Sequence, residues 1–89
     1  MNLIAMIGIV DNIDKIDNIN SNLYLKVDKP FMYGELNEEC YELIPIEINN
    51  KIFKSELNSL NKGNLIGFKG RIKNDNMIIK IVAEKIQMF

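Results

Sequence analysis

The 89 residues suffice for one domain with one core, and 47% hydrophobic with 26% charged residues is typical of a soluble globular protein. A single cysteine, Cys40, excludes an intrachain disulfide, and the absence of histidine removes the usual zinc sites and general base, so we expect a non-catalytic protein without cofactor or metal. The charge is divided, since residues 1–50 carry three lysines against nine acids and residues 51–89 carry eight cations against three acids. This asymmetry predicts either a basic stripe or two solvated surfaces.

The first strand is predicted over residues 3–10. These residues are apolar at nearly every position, a pattern typical of a strand buried on two faces or covered by another subunit. Gly8 within the strand indicates a bulge or a sharp bend. The segment lacks the cationic start and cleavage site of a signal peptide, and no apolar run is long enough to cross a bilayer. We therefore expect a cytoplasmic protein.

The second strand is predicted over residues 23–28, where Leu23, Leu25 and Val27 alternate with polar or aromatic residues. Before it, residues 11–22 are rich in Asp and Asn. They predict a polar excursion or a continued strand with a turn near Asn20-Ser21, and three regularly spaced isoleucines leave a short helix as an alternative. After the strand, residues 31–39 are predicted to form a loop.

The third strand is predicted over residues 41–48. Ile44, Ile46 and Ile48 point to one side, and the other side carries Tyr41, Leu43, Pro45 and Glu47. Because Pro45 has no N–H to donate to a neighbouring strand, its position indicates an edge or a bulge.

One helix is predicted over residues 51–61. Asn49 or Asn50 is the expected N-cap, and Gly63 is a natural stop. Phe53 lies on the apolar stripe of this helix and is expected in the core.

The fourth strand, residues 65–73, has the clearest pattern in the chain. Ile66, Phe68, Gly70 and Ile72 point one way, whereas the other side carries Lys69, Arg71 and Lys73. This alternation predicts a barrel wall with a cationic face that meets a polyanion. A turn at residues 74–76 and a fifth strand, residues 77–88, complete the chain.

The order β-β-β-α-β-β is that of the OB-fold, a five-stranded Greek-key barrel that binds oligonucleotides or oligosaccharides on its outer face. The sequence therefore predicts a mainly β protein, with residues 1–89 forming one OB-fold domain and the helix between strands 3 and 4.

Four stretches of the chain resemble bacterial and phage single-stranded DNA-binding proteins. The start, MNLIAMIGIV, is similar to their first strand. LKVDKPF resembles a second strand that commonly reads L-x-V-x-R-P-F in a Firmicutes-type branch. LIPIEINNKIFKSELNSLNKG resembles the third strand and helix. GFKGRI and IKIVAEKIQMF resemble the last two strands, usually close to G-V-x-G-R-I and V-V-A-E-x-V-x-F-L. Together these stretches cover nearly the whole chain in the right order.

The resemblance implies non-catalytic, sequence-tolerant binding of single-stranded DNA by a homodimer or homotetramer, with RNA as an alternative ligand. Such proteins hold the phosphates with cations and stack bases on aromatic rings, each stack contributing about 1–3 kcal/mol. The residues predicted to bind nucleic acid are Tyr24, Lys26, Lys29, Phe31, Tyr41, Lys69, Arg71, Lys73 and Lys80.

The chain departs from the family pattern in three respects. It has no tryptophan to stack on bases, and its fourth and fifth strands are joined by a tight turn where the family usually has a long hairpin that grips DNA. It also ends at Phe89 without a flexible linker or an acidic tail. The resemblance therefore implies a minimal barrel with weaker and more salt-sensitive binding.

Two other functions fit the same sequence. One is an OB-fold adaptor that acts through protein contacts after losing its DNA surface, which a basic groove interrupted by Glu47 or Glu84 would favour. The other is a primosome-type accessory, an OB dimer that binds single-stranded DNA and hands it on. The strand lysines can also serve only to keep an edge soluble, and the tyrosines can lie in a subunit contact.

Overall fold

Five strands close into a barrel in the structure, a computed structural model that describes residues 2–28 and 41–89. The elements are β1 (Ile4–Lys15), β2 (Asn20–Asp28), β3 (Tyr41–Asn49), α1 (Lys54–Ser59), β4 (Leu65–Asp75) and β5 (Ile78–Met88). The neighbour order is β1-β2-β3-β5-β4, and β3 and β5 run parallel while the other pairs are antiparallel. The predicted OB-fold, with its helix between β3 and β4, is confirmed.

The hydrophobic core fills the barrel with the inward residues of all five strands. Its buried side chains are Val10, Leu23, Leu25, Ile46, Ile48, Phe53, Leu60, Ile66, Phe68 and Ala83. Phe53 directly precedes α1 and Leu60 directly follows it, so both ends of the helix are anchored to the barrel. Alternate residues of β2, β3 and β4 are thereby left facing outward, which gives these strands a solvent face.

Strand β1 is longer than predicted and continues through the polar residues to Lys15. The irregularity in its pairing with β2 lies between Val10 and Asn12, not at Gly8. Gly8 is required for a different reason: a Cβ atom there would collide with the Lys26 carbonyl oxygen and lie 2.8 Å from the Leu25 Cγ. The glycine therefore allows β2 to cross β1 closely.

The turn between β1 and β2 falls at residues 16–19, earlier than predicted. The Asp17 carboxylate accepts hydrogen bonds from the N–H groups of Asn20 and Ile19, at 2.7 and 2.8 Å. These two bonds hold the pKa of Asp17 below its ordinary value. The aspartate, as a side chain that favours turns, thus fixes where the hairpin reverses.

Helix α1 is shorter than predicted. Asn49 does act as a cap, since its side-chain oxygen accepts the N–H groups of Lys51 and Ile52, but it caps a turn that precedes the helix. The helix ends at Ser59 because Leu60 takes an extended conformation, with ψ of 132°, and is buried in the core. Gly63, with φ of +94°, lies in the turn that follows.

Strands β4 and β5 extend beyond the barrel as a two-stranded projection, which we call the arm (residues 73–80). Pairing of β1 with β4 ends at Gly70, and pairing of β3 with β5 involves only Ile46 and Glu47 of β3, whereas β4 and β5 stay paired as far as Asp75 and Ile78. The turn residues Asn76 and Met77 have φ of 52° and 69°, typical of a tight type I′ hairpin turn. The connection is tight, as predicted, but the turn falls at Asn76 and Met77, later than the predicted residues 74–76, and it closes an arm.

Candidate nucleic-acid interface

The outward side of β2, β3 and the β4–β5 hairpin brings most of the predicted residues together. Glu47 lies opposite Asn22 on one side and beside Val82 on the other, and Val82 in turn lies opposite Arg71. In neighbouring positions Tyr24 faces Pro45, and Lys80 faces Lys73. We call this surface the polar face. It consists of Tyr24, Lys26, Tyr41, Leu43, Pro45, Glu47, Arg71, Lys73, Lys80 and Val82.

One end of the polar face carries a tyrosine beside a lysine. Tyr41, at the start of β3, is 48% exposed, and the Lys26 Nζ lies 5.2 Å from the centre of its ring. That distance is within the range of a cation–π interaction. Lys26 also lies 3.9 Å from Asp11 Oδ1. Ring and ammonium therefore form one platform that offers both a stacking surface and a positive charge.

Pro45 lies just before the short stretch of β3 that pairs with β5. It faces Tyr24 of β2, but on its other side the pairs between β3 and β5 are Ile46 with Ile81 and Glu47 with Val82. The proline thus stands just outside the paired stretch, as the sequence predicted for an edge position.

The middle of the polar face is an ion-pair cluster around Glu47. Lys73 Nζ lies 2.8 Å from Glu47 Oε2, and Lys80 Nζ lies 4.0 Å from Oε1 of the same carboxylate. Lys80 also donates to Asp75 Oδ2 at 3.1 Å. The hydrogen bond that the Lys73 ammonium donates to the Glu47 carboxylate raises the pKa of Lys73 above its ordinary value.

Arg71 is paired through a β-bulge. Lys69 pairs with Lys85 and Gly70 with Ala83, so Glu84 is the extra residue of β5. The Arg71 Nε donates to Glu84 Oε1 at 2.8 Å. Gly70 is needed at this point because a Cβ atom there would collide with the Val82 carbonyl oxygen.

Each of the four cations on the polar face therefore has an acid within 4.0 Å. The four acids are Asp11, Glu47, Asp75 and Glu84. Their formal charges cancel those of Lys26, Arg71, Lys73 and Lys80. The polar face, which includes two of the three cations predicted on the outward side of β4, is therefore electrically balanced in the described part of the chain, whereas Lys69 forms no ion pair there.

The remaining predicted residues lie elsewhere. Lys69 faces outward between Ala5 of β1 and Lys85 of β5, in the wall of an open groove of about 470 Å³ that Ile7, Gly67 and Phe89 also line. The Phe89 ring lies against Gly67, where a Cβ atom would come within 3.3 Å of it. Lys29 and Phe31 lie outside the described residues.

Sequence reasoning did not identify Asp11 and Asp75 as partners of the cations. For Asp75 a signal existed, because it is two residues from Lys73 on the same face of β4 and diagonal to Lys80. For Asp11 there was none, since it lies at the irregularity in the pairing of β1 with β2.

Among residues 2–28 and 41–89, no group of three acidic, histidine or cysteine side chains is arranged to hold a metal ion. No helix in the same part of the chain is long and apolar enough to cross a membrane.

Comparison with known proteins identifies the fold. No protein-family model and no curated protein sequence matches the chain. The structure is similar to the dimeric N-terminal domain of the PriB protein from Thermoanaerobacter tencongensis, with a TM-score of 0.73 and 21% identity over 99% of this chain and 96% of that one.

Two further solved structures are similar over more than nine-tenths of their length. The mitochondrial single-stranded DNA-binding protein Rim1 of S. cerevisiae has a TM-score of 0.73 and 12% identity over 98% of this chain and 92% of that one. PriB of Ralstonia solanacearum has a TM-score of 0.73 and 11% identity over 99% and 97%. The resemblance to OB-fold single-stranded DNA-binding proteins is thus confirmed at the level of the fold.

Proposed function

We propose that this protein binds single-stranded DNA without sequence preference and without catalysis. It would coat or protect the strand in the cytoplasm during replication, recombination or transfer of a mobile element. The observation that carries the proposal is the grouping of Tyr24, Tyr41 and four cations on one outward face of an OB barrel. The similarity in fold to the mitochondrial single-stranded DNA-binding protein Rim1 supports it.

The arrangement suits a ligand with flat bases on a charged backbone. The two tyrosines lie on the outer side of β2 and β3, where a base can stack, and Lys73, Lys80 and Arg71 lie across β4 and β5, where phosphates can pass. Stacking tolerates any base because every base has a π-face, and phosphate contacts carry no sequence information. Sequence-tolerant binding follows from that pairing of contacts.

The test is titration of fluorescein-labelled oligo(dT) at several salt concentrations. If Z cations neutralise phosphates, the logarithm of affinity falls with the logarithm of salt at a slope of about −0.7Z. Arg71→Ala should weaken binding and flatten the slope by about 0.7. Lys54→Ala, on the exposed side of α1, removes the same charge away from the polar face and should change neither quantity. Wild-type protein that fails to bind at low salt would overturn the proposal.

We further propose that the protein assembles as a homodimer or homotetramer through the outward side of β1. Leu3, Ile7, Ile9, Leu65 and Phe89 form this apolar face, and Ile7 is 64% exposed. Within the described residues, β1 is paired with β4 from Ile4 onward but with β2 only from Ile9, so the first half of β1 has one open edge. An apolar face beside an open edge is typical of a subunit contact. The similar PriB domain is described as dimeric.

Sedimentation of paired variants tests this assembly. Ile7→Asp places a charge in the apolar face and should yield monomers. Ile52→Asp changes a similarly exposed isoleucine in the turn before α1, outside that face, and should leave the assembly intact. A wild-type monomer, or an Ile7→Asp variant that stays assembled, would contradict the proposed contact.

A second function is favoured by the balanced charge of the polar face. An OB-fold adaptor that acts through protein contacts has no need of free cations, and here Glu47 and Glu84 hold Lys73 and Arg71 in ion pairs. The same titration separates the functions. An adaptor without a DNA surface gives no oligo(dT) binding at any salt concentration, even with the acids replaced.

A further inference from the structure

Glu47 has an unusual position for an acid on a surface proposed to bind a polyanion. It lies on the outer side of β3, yet only 11% of its side chain is exposed, whereas Lys73 is 46% and Lys80 is 39% exposed. The carboxylate lies beneath the two ammonium groups. An approaching phosphate therefore meets the lysines first, but it meets them with their charge already partly balanced.

The cross-strand register explains why an acid is needed there. Lys73 of β4 lies directly opposite Lys80 of β5, and like charges in that relation destabilise a hairpin. Lys80 has a second partner in Asp75 at 3.1 Å, but within the described residues the only acid that pairs with Lys73 is Glu47, at 2.8 Å. Glu47 therefore holds together the base of the arm.

A phosphate that binds Lys73 must displace this carboxylate or share the ammonium group with it. Displacement leaves a negative charge close to the phosphate, and burial of Glu47 limits how far water can screen that charge. Competition for the Lys73 ammonium group and repulsion between the carboxylate and the phosphate both oppose DNA binding. Neither requires Glu47 to touch the DNA.

We propose that Glu47 is a built-in competitor of DNA phosphates for Lys73 and Lys80, which lowers the affinity of the polar face for single-stranded DNA. The inference rests on the proposed function, because it concerns the same surface. It assigns the acid two opposed effects: it stabilises the arm in the free protein, and it weakens the complex. Removal of the Glu47 charge should therefore raise the affinity for single-stranded DNA and lower the stability of the folded protein.

The test compares Glu47→Gln with wild type in the oligo(dT) titration. The amide keeps the size of the side chain, and one more net positive charge should tighten binding about five- to tenfold at low salt and steepen the salt slope by about 0.7. Glu56→Gln, on α1, makes the same charge change away from the polar face and should have no effect. The melting temperature of Glu47→Gln should fall.

The outcomes separate this inference from the proposed function. Equal or weaker binding by a folded Glu47→Gln variant, when wild type binds, overturns the role of Glu47 and leaves DNA binding intact. Binding by Glu47→Gln when wild type does not bind supports the role, because the charge alone then masks the site. No binding by either folded protein overturns both.

A measurement on the wild-type protein covers the case in which the variant fails to fold. The ¹³C shift of the Glu47 carboxylate reports its ion pairs directly. Oligo(dT) should shift this signal as phosphates take over Lys73 and Lys80, and the signal of Glu56 should not move. A Glu47 signal that stays unchanged at saturating DNA would overturn the inference.

Discussion

Two lysine pairs face each other across β4 and β5, and they differ in whether an acid accompanies them. Lys73 and Lys80 in the arm share Glu47, and Lys80 also holds Asp75. Lys69 and Lys85 in the barrel wall form no ion pair with any acid among the described residues and flank the groove beside Phe89. The same cross-strand motif is therefore neutralised in one place and left charged in the other. Counting cations along a strand does not reveal where a polyanion binds.

The largest expected effect comes from removing each pair in turn. Lys73→Gln with Lys80→Gln leaves Glu47 and Asp75 uncompensated on the polar face, so oligo(dT) affinity at low salt should fall on the order of 100-fold. Lys69→Gln with Lys85→Gln makes the same charge change off that face and should cost less than about tenfold. Equal losses, or a larger loss from the wall pair, would shift the DNA site to the apolar groove. Circular dichroism of both variants checks that a loss of binding does not come from unfolding.

A smaller effect is expected from the aromatic end of the polar face. Tyr41→Ala removes the ring that lies beside Lys26 and should weaken oligo(dT) binding by about 1 kcal/mol, the lower end of the range for a base stack. Tyr41→Phe keeps the ring and should bind like wild type. If both substitutions weaken binding equally, the hydroxyl group and not the ring is what contacts the DNA.

A more stable turn in the arm should affect one lysine pair and not the other, as measured by protection of their amides from hydrogen exchange. Met77 has φ of 69° and is 88% exposed, so Met77→Gly removes backbone strain with little loss of packing. We expect a gain of roughly 0.5–1 kcal/mol in the free energy of unfolding measured in urea.

Hydrogen exchange locates that gain. The amides of Lys73 and Lys80 should become better protected, and those of Lys69 and Lys85 in the barrel wall should not. Asn76→Gly is the matched control, because asparagine already tolerates the left-handed conformation. A gain from Asn76→Gly as large as that from Met77→Gly would contradict strain at Met77.

The smallest expected effect concerns pH. Glu47 raises the pKa of Lys73 above its ordinary value of 10.5, so the stability from this pair is fully present below that pH and is lost as pH rises through the raised pKa. NMR titration of the lysine Nζ groups should show the pKa of Lys73 falling back toward its ordinary value in Glu47→Gln. A Lys73 pKa that is the same in both proteins would mean that the ion pair does not form in solution.

The barrel could be predicted from the sequence because most of its strands have a local hydrophobic pattern. The isoleucines of β3 and the alternating residues of β4 have the period of two that is typical of a strand with one buried face. The helix could be predicted because Phe53 and Leu60, which flank it, are apolar residues that pack in the core. The polar second half of β1 was uncertain, because its residues belong to a strand only through pairing with β2. Tertiary pairing there overrides local preference.

The candidate site was less predictable, because its charges are matched across strands that are distant in the chain. Glu47 meets Lys73 only because β3 lies beside β5 and β5 beside β4. Glu84 meets Arg71 only because a bulge shifts the register of β5 by one residue. Alternation tells which side of a strand a residue faces, but it does not give the register between strands.

The short pairing between β3 and β5, which closes the barrel, has a consequence for its dynamics. Only Ile46 with Ile81 and Glu47 with Val82 join these strands, so this seam should open more readily than the long hairpin of β4 and β5. A DNA strand lying from Tyr24 to Lys73 would bridge the seam, and a ligand that binds only the closed form stabilises closure by mass action. Bound DNA would then keep β3 and β5 paired, and so stabilise the closed barrel that binds it.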